Sequence, residues 1–247
     1  MKAFKALFKT ELKLSLRGMD MIIFAIFMPA IVIVILGLVF GNKPAFEGAE
    51  YTFLAQSFSG ISTIAICAGG VMGLPLVVSD YRNRKILKRF KVTPISPTLI
   101  LTVQLVIYAL YSITSFVLIY IVGAIFFDYQ VQGSWIHFLG AYFLVMLSMF
   151  SIGVLVGGIA PNMKVASATA SLLYFPMLIF SGATLPYEVM PVALQKVADI
   201  LPLTQGIKLL KAASLGLAAD SVLIPATLMI VIAVICISIS IKFFKWE

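Results

Sequence analysis

Apolar residues run along this chain in six long blocks, with the polar residues crowded between them. The blocks cover residues 19–40, 54–78, 98–127, 138–160, 165–185 and 222–243. Each reaches the roughly 20 residues that a helix rising about 1.5 Å per residue needs to cross a hydrocarbon layer of about 30 Å. Each is therefore predicted to be a membrane-spanning helix. Pro176 inside the fifth block is compatible with that, because neighbouring helices satisfy the carbonyl that a proline frees. The first block is longer than the roughly 7–15 apolar residues of a cleaved leader, and no small-x-small site follows it, so it is read as the first span.

Three segments lie outside the spans. In residues 1–18, Lys2, Lys5, Lys9, Lys13 and Arg17 fall on one stripe at about 100° per residue, while Phe4, Leu7, Phe8 and Leu14 point away from it. This predicts an interfacial amphipathic helix with its cations toward anionic lipid headgroups. Residues 79–97 carry six basic residues around a narrow apolar face of Ile86, Leu87 and Phe90. A short basic helix is predicted there, ended by Pro94 and Pro97. Residues 186–221 are too polar to span, yet Val189, Ala193, Val197, Ile200 and Leu201 recur at helical spacing opposite Gln195, Lys196 and Asp199. The expectation is a short helix dipping into the outer leaflet, a turn at Pro202, and a second helix near residues 205–215 that ends at Gly216. A connection of that length with internal periodicity reads as a gate or lid, with Pro186, Glu188, Pro191 and Pro202 as its candidate residues.

Composition agrees with the pattern. Of the 247 residues, 62% are hydrophobic and 11% charged, against roughly 45–50% and about 25% in soluble domains. Intrinsic disorder and a disulfide scaffold are excluded, and Cys67 and Cys236 both sit inside apolar blocks. The net charge of +8 would suit nucleic acid only if the cations formed one surface. Instead they gather between spans. Fourteen Lys and Arg residues fall in the N-terminal segment, the second and fourth loops and the tail, against four in the first, third and fifth loops. Positive residues mark the cytoplasmic side, so both termini are placed in the cytoplasm, and no nucleic-acid partner is expected.

Several chemistries are missing from the sequence. No phosphate loop ending in Gly-Lys-Ser/Thr is present, His137 is the sole histidine, and no metal-ligand or Ser/His/Asp set can be assembled around it. The interiors of the spans hold no Asp, Glu, Lys or Arg, the groups that serve as relays in self-powered carriers. Transport would need an outside energy source. Gly69/Gly73, Gly153/Gly157, Ala166/Ala170 and Ser167/Ser171 permit close helix contacts. Phe58, Met72, Phe175 and Met177 are the candidates for lining an adaptable apolar cavity.

Two segments resemble a known family. Residues 81–97 read Tyr-Arg-Asn-Arg-Lys-Ile-Leu-Lys-Arg-Phe-Lys-Val-Thr-Pro-Ile-Ser-Pro. They resemble the loop after the second span of ABC-2 type transporter permeases, with Asn83 where that family commonly has Glu. Phe180-Ser-Gly-Ala-Thr-Leu-Pro-Tyr-Glu-Val-Met-Pro191 followed by Ile200-Leu-Pro-Leu-Thr204 resembles the family's second signature. The resemblance implies an all-α integral membrane fold of six spans with an N-terminal interfacial helix, a cytoplasmic coupling helix and an extracytoplasmic re-entrant helical segment before the last span. It further implies a permease subunit of a prokaryotic ATP-binding cassette exporter in the inner membrane, of the multidrug or amphipathic-compound kind. ABC ATPase subunits would bind it at Tyr81, Arg82, Arg84, Lys85, Leu87, Lys88, Arg89 and Phe90. A second permease copy or sister subunit would complete the channel. ATP and magnesium would sit on the ATPase, leaving this chain without a cofactor or catalysis of its own. A glycan-export permease, a self-sufficient channel or carrier, and a lipid-binding scaffold are the alternatives.

Overall fold

A computed structural model describes residues 2–18, 22–41, 43–46, 48–49, 51–86, 97–183, 187, 190–218 and 220–244. Among these, regular structure is helical apart from one isolated antiparallel bridge between Pro44 and Thr52. The N-terminal helix α1 covers Lys2–Arg17. The first span begins with a π-helical turn, Ile23–Phe27, and continues as α2, Met28–Phe40. The second joins α3, Phe53–Cys67, through a π-helical stretch, Ala68–Gly73, to α4, Leu74–Asn83. The third, fourth and fifth are α5, Pro97–Phe127, α6, Trp135–Ile159, and α7, Met163–Phe180. Short helices α8, Val192–Ala198, and α9, Pro202–Leu215, precede the sixth span, α10, Asp220–Phe243. Six of these units are long and apolar enough to cross a membrane. The fold is an all-α membrane domain.

Local sequence explains where the helices start and stop. Thr52 caps α3 by accepting from the Ala55 amide at 3.2 Å, and Asn162 caps α7 by accepting from Val165 at 2.9 Å. Both satisfy amides that a helix start leaves without partners. Gly216 closes α9 in the left-handed conformation, φ +67°, where the absence of a Cβ removes the strain.

The second span is the axis of the bundle. It is buried over most of its length, whereas the first, fifth and sixth spans are mostly exposed. Its tightest contact is with α6. A Cβ placed on Gly153 would lie 1.8 Å from the Gly70 carbonyl oxygen, and one on Gly157 would lie 2.9 Å from Pro75 Cα. Backbones this close exclude every side chain larger than hydrogen. On α6 the contact uses the anticipated Gly153/Gly157 pair. On the second span it uses Gly70, and a Cβ on the anticipated Gly69 would meet Tyr108 of α5 at 3.4 Å. Both glycines lie in the π-helical stretch.

Toward the end of the bundle where the second span begins, aromatic rings fill the interior. Phe58 stacks on Tyr129 with centroids 4.2 Å apart and meets Phe116 edge-on. Tyr142 donates from its hydroxyl to the Ser112 carbonyl at 2.7 Å. Helix α9 is driven into this end of the bundle against α3, α6 and α10. Its Gly206, Ala212, Ala213 and Ser214 are all buried. Ser214 Oγ lies 3.1 Å from Ser59 Oγ, and the Ser214 carbonyl accepts from the Gln132 and Gly133 amides at 2.9 and 3.0 Å. Helix α8 and the turn after it leave Val192, Val197 and Ile200 exposed, the apolar positions expected to meet lipid, while the small side chains of α9 are what allow α9 to enter the bundle.

Gly153→Ala is expected to lower stability by about 1–3 kcal/mol through overpacking, visible as an earlier heat-unfolding midpoint in detergent. Gly140→Ala, whose Cβ would meet nothing within 4 Å, serves as the control and is expected to leave the midpoint unchanged.

Candidate functional site

The basic segment begins before the second span ends. Helix α4 continues through Ser79–Asn83 without a break, and the chain turns at Lys85, a non-glycine residue at φ +56°. Four of the residues assigned to partner docking lie in the described part. Arg84 and Lys85 are exposed, Arg84 pairing with Asp80 one turn back at 2.8 Å. Tyr81 and Arg82 turn inward. Leu87, Lys88, Arg89 and Phe90 lie outside the described residues.

Arg82 is 7% exposed. Its guanidinium donates to the Gly158 carbonyl at 3.1 Å and also to the Ala160 carbonyl. These carbonyls end α6, where the helix leaves acceptors without partners and the dipole is negative. Tyr81 donates to Glu11 of α1. Gln104 of α5 donates to Glu11 Oε2 and to the Tyr81 hydroxyl, both at 2.9 Å. Two turns further along α5, Tyr111 donates to Ser15 of α1 at 2.8 Å. Helix α1 is thus fastened by polar contacts as well as by Phe4, Leu7 and Phe8, which pack on the core, while Leu14 stays 54% exposed.

Counting cations missed Arg82 because charge was taken to mean exposure. A signal was present. Extending the buried stripe Val71, Pro75 and Val78 of the second span by one more turn lands on Arg82. Glu11, the sole acid in a helix otherwise rich in lysine, was the corresponding signal for Tyr81.

At the other end of the bundle, Pro191 and Pro202 are helix starters, at the cap of α8 and inside the first turn of α9. Pro186 and Glu188 lie outside the described residues. Between the two helices Asp199 accepts from Lys208 at 2.6 Å and from the Tyr187 hydroxyl at 3.0 Å, with the Lys208 ammonium 4.2 Å from the centre of the Tyr187 ring. Gln195 donates to the Met190 carbonyl at 2.9 Å, and Gln205 donates to the Asp199 carbonyl at 2.7 Å. This clasp was invisible beforehand, since its members are spread over three segments.

The four cavity candidates do not converge. Phe58 is fully buried in the aromatic cluster and Met177 is 3% exposed. Met72 is half-buried with its sulfur 4.0 Å from Ser171 Oγ, and Phe175 is 51% exposed on α7. A cavity of about 530 Å³ lies elsewhere, between α6, α9 and α10, lined by His137, Gly140, Leu144, Leu209 and Ala226 among others. That volume is in the range of small-molecule sites, and its walls are mostly apolar. Among the described residues no three His, Cys, Asp or Glu side chains come together as a metal site would require.

The clasp between α8 and α9 carries a pH dependence. Partial burial works against ionised Asp199, but the hydrogen bonds from Lys208 and Tyr187 outweigh it and hold the carboxyl below its ordinary 3.8. Burial, aided by the bond to Asp199, raises the Tyr187 phenol above its ordinary 10.0. A depressed carboxyl stabilises the fold fully above its unfolded value and loses that contribution as pH falls through the folded one. Asp199→Asn is expected to lower the unfolding midpoint at neutral pH by the equivalent of about 1 kcal/mol or less, as for other exposed pairs. Measured against pH, the gap to the unmutated chain should close below 3.8.

Comparison with known proteins places this geometry. The chain is similar to YvfS of Bacillus subtilis (strain 168), a transport permease by name, at 24% identity over 200 residues, 78% of this chain and 77% of that protein. Nodulation protein J of Rhizobium leguminosarum bv. viciae is 34% identical over 97 residues, 39% of this chain and 35% of the relative. Nodulation protein J of Neorhizobium galegae is 34% identical over 73 residues, 30% and 28% of the two chains. The family model for the ABC-2 type transporter matches residues 2–215. With its six apolar helices and that match, the chain belongs to the ABC-2 type transporter family and is a multi-pass membrane transport component of an ABC system.

Proposed function

We propose that this chain is the permease subunit of an ATP-driven exporter, moving a hydrophobic or amphipathic compound out of the cytoplasm or inner leaflet. The observation that carries the reading is the built root of the basic segment. It combines a helix continuous with the buried second span, two inward anchors, and exposed cations at Arg84 and Lys85. A segment held this firmly can pass a rigid-body displacement to the spans, as a floppy loop cannot. Its cations would meet a cleft on a separate ATPase subunit, which would hold the ATP and magnesium.

The mostly apolar, uncharged spans support a hydrophobic or amphipathic cargo over a glycan, and their lack of ionisable relays disfavours a self-powered carrier. The exposed faces of the first, fifth and sixth spans leave room for a second permease subunit and for lipid. The distribution of Lys and Arg supports both termini in the cytoplasm and a place in the inner membrane of a prokaryote.

Mild solubilisation of the tagged chain from its native host is expected to bring down a stoichiometric subunit that hydrolyses ATP. The double variant Arg84→Glu with Lys88→Glu is expected to insert normally but to lose that subunit by about tenfold or more, since it reverses charge at a docking surface. Retention of the ATPase by this variant would refute the assignment of the segment.

A further inference from the structure

We propose that Tyr81 and Arg82 are positioning residues, not docking residues. They fix the root of the basic segment to α1 and to the α6–α7 turn, so that these parts move as one body. The proposal rests on the reading of that segment as the coupling element.

The two side chains leave α4 on different faces and tie it in two directions. Arg82 reaches the Gly158 and Ala160 carbonyls at the end of α6. Tyr81 reaches Glu11 of α1, and Gln104 of α5 braces both. An arginine at this level has water within reach, as Arg84 shows two residues on with a side chain 70% exposed. Long cations at the membrane boundary ordinarily extend toward that water. Arg82 instead turns inward and donates to backbone carbonyls at the end of α6. What it supplies there is geometry. A planar guanidinium with several fixed donors holds two carbonyls in a set orientation, which the single flexible ammonium of lysine does not reproduce. Glu11, in turn, has its carboxylate turned toward hydroxyl and amide donors among the described residues, so α1 is oriented by hydrogen bonds and not only by apolar contact.

The test uses spin labels on the complex purified with its ATPase subunit and returned to vesicles. Asn83→Cys at the root and Asn162→Cys at the α6–α7 turn are both exposed, whereas Cys67 and Cys236 are buried. In the otherwise unmutated chain the distance between the labels is expected to be the same without nucleotide and with ATP plus vanadate. With Arg82→Met, and to a lesser degree Arg82→Lys, it should broaden and shift on trapping while the ATPase stays bound. Tyr81→Phe should do the same to a pair at Thr10→Cys and Asn83→Cys. The inference is overturned if the labels of the unmutated chain move apart on trapping. It is equally overturned if the Arg82 variants leave the distance unchanged, whether or not they lose the ATPase. Arg82→Lys covers the case in which Arg82→Met fails to fold. Failure of the coupling reading would look different, because the Arg84/Lys88 charge reversal would then keep its ATPase while the label distances still reported the anchors.

Discussion

The close approach of the second and fourth spans at Gly70 and Gly153 is the contact on which the rest of the molecule is built. With no room for a Cβ between the two backbones, neither helix can slide or rotate without opening a void or a clash, and close-packed interiors tolerate neither. The second span becomes a fixed axis. Everything attached to its two ends inherits that position: Ser59 seats the re-entrant helix α9 at one end, and Arg82 ties the basic segment to α6 at the other.

This explains why one chain without an energy source can act in driven transport. The spans lack charged relays in their interiors, and the chain has no phosphate loop, so force must enter at a surface. The exposed Arg84 and Lys85 sit one helical turn or less from the inward anchors Tyr81 and Arg82. A push on the segment would meet a lever already clamped to α1, α5 and the α6–α7 turn. The clasp of Tyr187, Asp199 and Lys208 holds α8 against α9 through exposed polar contacts. Such contacts are weak individually.

Much of the architecture could be read from hydrophobic blocks alone, because each span obeys the length the bilayer demands. The six spans, the interfacial helix and the second short helix ending at Gly216 were legible for that reason. What sequence reasoning missed has three physical causes. The π-helical stretch Ala68–Gly73 winds more widely than the helical period assumes, and Gly70 inside it, outside the anticipated pair, is what meets α6. Arg82 carries a charge on a buried stripe, so composition and periodicity disagree about it, and periodicity was the better guide. The contacts among Tyr187, Asp199 and Lys208, and between Ser59 and Ser214, join residues far apart in the chain, which no local pattern encodes. Phe58 looked like a cavity residue and is fully buried in the aromatic core, because an aromatic side chain reads the same in either place.

The central claim is that the second span carries helix α9 at its Ser59 end as one packed unit. Cysteines in place of Ser59 and Ser214, whose oxygens lie 3.1 Å apart, test it most directly in native membranes. The account predicts that a mild oxidant joins them into a disulfide in nearly every molecule, blocking thiol labelling of both. If both thiols remain reduced and open to labelling under conditions that oxidise a known close pair, helix α9 is not seated on this span and the account fails.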